Sequence, residues 1–407
     1  MQPPSTDSLR TDCLPEPEVE ARRRSRQLVQ KICAACDAAQ GAIRFYDYMN
    51  MALYEPGLGY YSGGLHKFGK AGDFITAPEV SPLFGQCLAS QIAEISRQFA
   101  SENPDPVCLL ELGAGSGRLA VDILQRLEQL GCLPETYYIL ELSAELQQRQ
   151  RQLLEAAVPQ LMSRIVWPVS IEQVAANSNM VIVANEVLDA MPLEIFRFNA
   201  GQAESLNINC SEGHLRPQFV LADDEVCSYL DAVSQRSGVV FSDGYQSEFN
   251  PAIQGWLQTL EERFARLVML LIDYGYNEQE YYHPERAEGT LMCYYRHRAH
   301  SDFLWWPGLQ DITAYVNFTD VAYSADAVGL TVSGYTTQAA FLLANGLSEL
   351  HAQQVSDDLQ QQIKLSQQIK TLTLPSEMGE RFKVMALTKG YDEPLSGFSM
   401  LDLRNRL

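Results

Sequence analysis

The sequence has no apolar run near the ~18 residues that span a bilayer, which excludes an ordinary membrane helix and predicts a soluble chain. It is short of basic residues: 30 Lys and Arg stand against 51 Asp and Glu, a formal charge of −21. A surface with that balance repels phosphates, so neither nucleic acid nor a membrane is an expected partner. The first residues, MQPPSTDSLRTDCLPEPEVEARRR, hold no apolar core of a secretory signal. Their acids argue against an organellar transit peptide, which predicts a cytoplasmic address. Nine cysteines are scattered, and the close pair Cys33 and Cys36 has neither a second CxxC nor a histidine pair to complete a zinc site. Reduced, mostly buried thiols are expected. His297 and His300 lie three apart with no third ligand nearby, so no metal is predicted.

What is present organises the chain. With 407 residues, 46% of them hydrophobic, it allows one large domain with substantial additions. Residues 1–18, rich in Pro, Ser and acids, read as a disordered tail before a helix around 19–39. Residues 45–64, FYDYMNMALYEPGLGYYSGG, place Tyr46, Tyr48, Tyr54, Tyr60 and Tyr61 in a short helix and turn. Residues 67–86, KFGKAGDFITAPEVSPLFGQ, lead into a helix from about 82 to 99. So aromatic a segment reads as a lobe or lid, since linkers are polar. The tyrosines could line a cage for a cation, but packing as the core of this lobe is favoured.

From about 107 short apolar runs (107–112, 136–141, 165–167, 180–184, 267–273) alternate with helical patterns near 117–130 and 143–156. That alternation predicts a parallel sheet with crossover helices, an α/β Rossmann-like fold. After 192 the pattern alternates apolar and polar residues around Gly201 and Gly213, which predicts an antiparallel insertion between strands four and five. A hairpin strand (289–296), helices near 311–327, 336–344 and 346–370, and a last strand (381–389) follow. The Gln-rich helix carries a narrow apolar stripe of Leu359, Ile363 and Ile369, suited to a domain surface. The expected segments are a tail (1–18), a lobe with a cofactor lid (19–100), the first part of the core (101–192), an inserted meander with helices (193–265) and the second part of the core (266–407).

The stretch CLLELGAGSGRLAVDIL (108–124) is a strand, a glycine turn and a helix start, an arrangement that offers bare backbone amides to a ligand. Gly113, Gly115 and Gly117 alternate, whereas a dinucleotide turn needs G-x-G-x-x-G and a P-loop ends in G-K-[ST]. Glu141, in YYILELS, lies 24 residues after Gly117, where a carboxylate can accept both ribose hydroxyls. The fourth strand ends in VIVANEVLDAMP (181–192), which brings Asn185, Glu186 and Asp189 to the ligand-binding edge of such a sheet. Two carboxylates there suit a guanidinium, which is planar, always charged and held by bidentate pairing. The plainer alternative is that Asn185 caps the next helix and the acids occupy its first turn.

The form E-x-G-x-G-x-G, with Glu111, Gly113, Ala114, Gly115 and Gly117, resembles the first motif of class I S-adenosylmethionine-dependent methyltransferases. With YMNMALYEPGLGYYS, GDFITAPEVSPLFG, NEVLDAMP, IDYG, PGLQDITAYVNFT and PSEMGERFKVMAL, in order from about residue 41 to 389, the chain resembles the MidA-like methyltransferase family. That family includes a mitochondrial arginine methyltransferase that assists assembly of respiratory complex I. The resemblance implies a class I methyltransferase core, S-adenosyl-L-methionine as cofactor and a protein substrate carrying an arginine, with a homodimer left open. It implies a cofactor loop at Glu111, Gly113, Ala114, Gly115 and Gly117, a ribose acid at Glu141 and cofactor contact at Asn185. Glu186 and Asp189 are implied as the catalytic pair. Gly72, Asp73, Thr76, Pro78 and Glu79 match the lid over the cofactor. Two departures stand in DITAYVNF, where Tyr315 and Asn317 replace the family's histidine and aspartate; a substrate recognised through them does not transfer to this chain.

Tyr274, at the end of the fifth strand, is a candidate for the substrate pocket, whereas Asp273 is expected buried and paired. Asp311 is a second substrate candidate, although with Thr313 it also reads as a helix cap. The leading function is methyl transfer to an arginine nitrogen of a protein. A small-molecule acceptor, another side chain, or a non-catalytic cofactor-binding assembly factor are the alternatives. A nicotinamide oxidoreductase is disfavoured by the glycine spacing.

Overall fold

The computed structural model describes residues 14–63, 76–102, 105–176, 178–354 and 358–407. The tail expected at 1–18 therefore lies largely outside the described residues. Among the described residues eight strands pair in one sheet, and seven of them form its continuous path: β1 (Val107–Leu112), β2 (Tyr137–Leu140), β3 (Ile165–Val166), β4 (Asn179–Asn185), β5 (Arg266–Tyr276), β6 (Thr331–Thr337) and β7 (Phe382–Lys389). Their order is β6-β7-β5-β4-β1-β2-β3. β3, β2, β1, β4 and β5 run parallel to one another, while β7 runs antiparallel to both β5 and β6. The central strands are apolar on both faces because helices cover both; from Asn179 to Ala184 every residue of β4 is buried. Leu112 pairs with Leu140 on one side and Ala184 on the other, so the carboxyl ends of β1, β2 and β4 finish level. Chain order reverses between β1 and β4, and such a switch point opens a crevice.

The chain divides into two compact units. The sheet unit comprises Ile75–Leu188, Ile253–Gly275 and Phe318–Leu407, and its core runs from Leu83 and Phe84 through Ile139, Val183 and Leu270 to Phe341. The lobe unit comprises Met1–Phe74, described here for residues 14–63, with Asp189–Ala252 and Tyr276–Asn317. The inserted segment thus belongs to both units: its last helix, Ile253–Arg263, falls in the sheet unit, and the lobe resumes after β5.

The lobe unit holds the expected antiparallel meander of Glu194–Asn199, Gln202–Ser211 and His214–Leu221. Its hairpin turns have positive φ at both central residues, Ala200 with Gly201 and Glu212 with Gly213, the geometry that matches strand twist in two-residue loops. Strands Ala42–Arg44 and Gln246–Phe249 join the sheet at Gln202–Ser211 and Glu194–Asn199. Tyr48, Tyr60, Phe45 and Leu28 form part of its core.

Several expectations are corrected. Cys33, on the helix Val19–Ala38, is disulfide-bonded to Cys210, with 5.2 Å between their Cα atoms, so the thiols are not all reduced. The partner lies 177 residues away in sequence and carries no spacing signal. Asp311–Thr313 is a strand paired with Met292–Tyr294 and not a helix start; the helix begins at Phe318. The sequence pattern predicts no strand at β6, but Thr331–Thr337 is extended, with a register shift at Gly334, and the Thr337 side chain caps the helix Gln338–Ala344, predicted near 336–344. In the Gln-rich segment the described residues form the helices Leu347–Gln354 and Leu359–Thr373. Among the described residues no helix is long and apolar enough to cross a membrane, and no cluster of His, Cys, Asp and Glu could hold a metal.

Candidate functional site

In the sheet unit β1 delivers the glycine turn. Gly113, Gly115 and Gly117 have φ of 64°, 52° and 84°, left-handed values that side chains other than glycine's adopt only at a cost. The turn is fixed by Gly113 N–H on the Leu140 carbonyl at 3.0 Å and Gly117 N–H on the Ala114 carbonyl at 2.8 Å. Gly117 then caps the helix Arg118–Gln129, whose first amides face the turn. A Cβ on Gly117 would lie 3.2 Å from Cγ of Gln150, so the third glycine accommodates a neighbouring helix.

Glu111 is buried beneath the turn and accepts a hydrogen bond from the Tyr137 hydroxyl at 2.7 Å. Burial pushes its carboxyl up to about 7, against the pull of the Tyr137 hydrogen bond, and the charge of Glu141 adds to the rise. Glu141, at the end of β2, accepts the Ser143 N–H at 2.9 Å on Oε1 and the Gln150 side chain at 3.1 Å on Oε2.

Of the lid block, Gly72 and Asp73 lie outside the described residues. Thr76 precedes the short helix Ala77–Val80, and Pro78 is buried near its start. Glu79 reaches the glycine turn, accepting a hydrogen bond from the Ser116 hydroxyl.

β4 ends in a strained residue. Glu186 has φ 53°, which costs a non-glycine residue about 1–2 kcal/mol. Its N–H donates to the Ile272 carbonyl at 2.9 Å, and Asn185 Nδ2 donates to its Oε1 at 3.2 Å. The buried Oδ1 of Asn185 has no partner among the described residues. Asp273, wholly buried, accepts the Leu188 N–H at 3.0 Å on Oδ2 and the Tyr274 N–H at 2.9 Å on Oδ1, tying β5 to the turn after β4. A Cβ on Gly113 would sit 3.4 Å from Val187, so the glycine turn and the NEVL turn touch. Tyr274 packs its ring edge-on against Phe382 at 5.5 Å.

The lobe unit holds the remaining candidates. Asp189 Oδ2 accepts the Thr313 hydroxyl at 2.8 Å, and Asp311 accepts the Tyr61 hydroxyl at 2.9 Å. Tyr54 stacks on Tyr61 at 5.5 Å and donates to the Ala190 carbonyl at 2.9 Å. Burial, helped by the Asp311 charge, holds the Tyr61 hydroxyl well above its ordinary range. Tyr48 and Tyr60 are buried core, Tyr46 is half-buried, and Tyr61 is hydrogen-bonded to the Asp311 carboxylate. Tyr315 packs edge-on against Tyr276, and Asn317 donates to Glu278 at 3.4 Å.

These residues fit S-adenosylmethionine: a turn whose three glycines leave its backbone open to approach, an acid at the end of the next strand and a buried amide oxygen with no donor among the described residues. Sequence reasoning missed Gln150, which is one glutamine among several in QQRQRQ, and Ser116, which looks like any small turn residue.

A model of an S-adenosyl-L-methionine-dependent methyltransferase family matches residues 87–336. The chain belongs to that family, the MidA-like methyltransferases, and has the class I methyltransferase fold. A Burkholderia thailandensis crystal structure with bound S-adenosyl-homocysteine is 37% identical, covers 97% of this chain and 100% of its own, and superposes with a TM-score of 0.90. A second structure from that organism is 36% identical over the same shares, with a TM-score of 0.86. Among curated relatives, the Danio rerio protein arginine methyltransferase NDUFAF7, mitochondrial, is 29% identical over 90% of this chain and 91% of its own. The Drosophila melanogaster homologue, also named mitochondrial, is 27% identical over 94% and 92%. This protein is thus an S-adenosyl-L-methionine-dependent methyltransferase. The cytoplasmic address expected from the N-terminal residues is overturned by these relatives, whose names place them in mitochondria.

Proposed function

We propose that the enzyme methylates an arginine nitrogen of a protein substrate, with Glu186 and Asp189 as the residues that receive the guanidinium. When bound, S-adenosylmethionine supplies an electrophilic methyl group on a sulfonium. Gly113, Ala114, Gly115 and Gly117 give that cofactor backbone approach, Glu141 takes its ribose, Glu111 and Asn185 border it, and Thr76 and Pro78 belong to its cover. The observation that carries the reading is Glu186. A carboxylate is held at a strained backbone angle, aimed by Asn185, one residue from the Val187 that touches the glycine turn. Strain of that kind persists where surrounding structure imposes it, which is common at functional sites. A carboxylate there orients a guanidinium and accepts the proton shed after transfer. The acceptor type is supported by the names of the curated relatives. Tyr274, at the end of β5, is proposed to contact the substrate.

Labelled methyl transfer into a cell lysate, followed by mass-spectrometric location of the label, tests the acceptor. Label on protein arginine is expected; label confined to small molecules or to another side chain would refute the arginine assignment. Glu186→Gln is expected to keep the affinity for S-adenosylhomocysteine within about threefold while methyl transfer falls about 100-fold or more. Methylation by that variant at the parent's rate would remove Glu186 from the chemistry.

A further inference from the structure

Gln150 is wholly buried on the helix Ala144–Ala157, and its amide makes three directed hydrogen bonds. Nε2 donates to the Gly115 carbonyl at 3.0 Å and to Glu141 Oε2 at 3.1 Å, and Oε1 accepts the Trp167 indole N–H at 3.0 Å. A 180° turn of the amide would set its oxygen against a carbonyl and a carboxylate and its NH2 against an N–H. One orientation therefore satisfies every partner. The Trp167 ring is held in turn under the Arg151 guanidinium, 3.9 Å from the ring centroid. The backbone of Gln150 lies 3.3 Å from where a Gly117 Cβ would stand, so the helix is pressed onto the turn.

We infer that Gln150 is a positioning residue for the cofactor: it locks the Glu141 carboxylate to the glycine turn and so sets the enzyme's selectivity for a ribose diol. Gly115, in the left-handed region, lies outside any regular hydrogen-bond ladder, so its carbonyl needs a side-chain donor to fix its direction. The plane of the Glu141 carboxylate is set by the Ser143 N–H on one oxygen and Gln150 on the other. Bidentate acceptance of two hydroxyls requires that plane to hold, because hydrogen bonds weaken steeply as their angles close. Without Gln150 the Ser143 N–H still holds one oxygen, but the bond that ties the other to the glycine turn is gone, so the carboxylate would still attract hydroxyls and discriminate less well between one and two. The inference rests on Glu141 as the ribose acid, and the test separates the two ideas.

Calorimetric affinities of the full chain are compared for S-adenosylhomocysteine and its 2′-deoxyadenosyl counterpart. The parent is expected to prefer the ribose compound about tenfold or more, the value of a hydrogen bond to a charged group. In Gln150→Leu the preference is expected to fall below about threefold. Trp167→Phe, which removes the indole N–H together with two ring carbons and keeps an aromatic ring in place, is expected to narrow it by about twofold and carries the test if the first variant does not fold. A preference retained in the folded variants overturns the inference, and so does equal weakening of both ligands, which would mark Gln150 as structural alone. A parent without any preference removes the ribose role of Glu141 and this inference with it.

Discussion

The three glycines of the turn share a backbone sign and differ in what surrounds them. At Gly113 the space for a Cβ is ordinary, 3.4 Å from Val187, so alanine there meets chiefly the cost of φ 64°. At Gly117 the same cost is joined by crowding against Gln150. Gly113→Ala is therefore expected to destabilise by about 1–2 kcal/mol and Gly117→Ala by about 2–4 kcal/mol. Urea transition midpoints compare the two, and equal losses would remove the crowding argument. Glu186 presents the reverse case, since its side chain occupies a position that glycine would tolerate better. Glu186→Gly is expected to leave the thermal midpoint unchanged or raise it, by up to about 1 kcal/mol of stability, while methyl transfer is lost. A clear fall in the midpoint would show that the left-handed angle stores no strain.

Between elements, single buried groups carry the connections. Asp273 at the end of β5 satisfies the Leu188 and Tyr274 amides, and so fixes the turn that holds Glu186. Asp273→Ala removes the carboxylate that accepts the Leu188 and Tyr274 amides and is expected to cost about 2–4 kcal/mol, with a fall in methyl transfer exceeding that in S-adenosylhomocysteine affinity. An affinity loss as large as the activity loss would place the effect on the whole sheet edge. In the lobe unit the Cys33–Cys210 disulfide joins the helix Val19–Ala38 to the strand Gln202–Ser211. Reduction is expected to lower lobe stability by about 2–4 kcal/mol, seen as a reductant-sensitive thermal midpoint that becomes insensitive in Cys33→Ser. The same midpoint with and without reductant in the parent would refute the cross-link.

Across the whole molecule, buried carboxylates set a pH response. Burial raises Glu111 from 4.5 to about 7 and Asp122 from 3.8 to about 6. A group whose folded value lies above its unfolded one binds its proton more tightly in the native state. Its contribution is therefore fully present below the unfolded value and is lost as pH rises through the folded one. Glu111 is thus expected to make the sheet unit lose stability between about pH 4.5 and 7, and Glu111→Gln to flatten that part of the profile. The check is the thermal midpoint of parent and variant at half-unit steps, and an unchanged slope in the variant would assign the response elsewhere.

The sheet was readable before the structure because its strands are continuous apolar runs buried on both faces, a pattern that depends on neighbours only for its cover. The glycine spacing was readable for a related reason: left-handed backbone excludes most residues, so Gly113, Gly115 and Gly117 announce the turn locally. β6 escaped because TVSGYTT is broken by the irregularity at Gly334. Asp311 and Thr313 escaped because a strand of three residues has no period of its own and exists by pairing with Met292–Tyr294. The sequence by itself determined the parallel core, the inserted meander and the glycine turn, all of which follow from local sterics and from burial periodicity. Only the tertiary structure decided that Cys33 meets Cys210, that Asp273 holds the turn of Glu186 and that Gln150 joins Glu141 to Gly115. Each of these is a contact between segments whose meeting depends on how the chain packs, and no spacing along the chain encodes it.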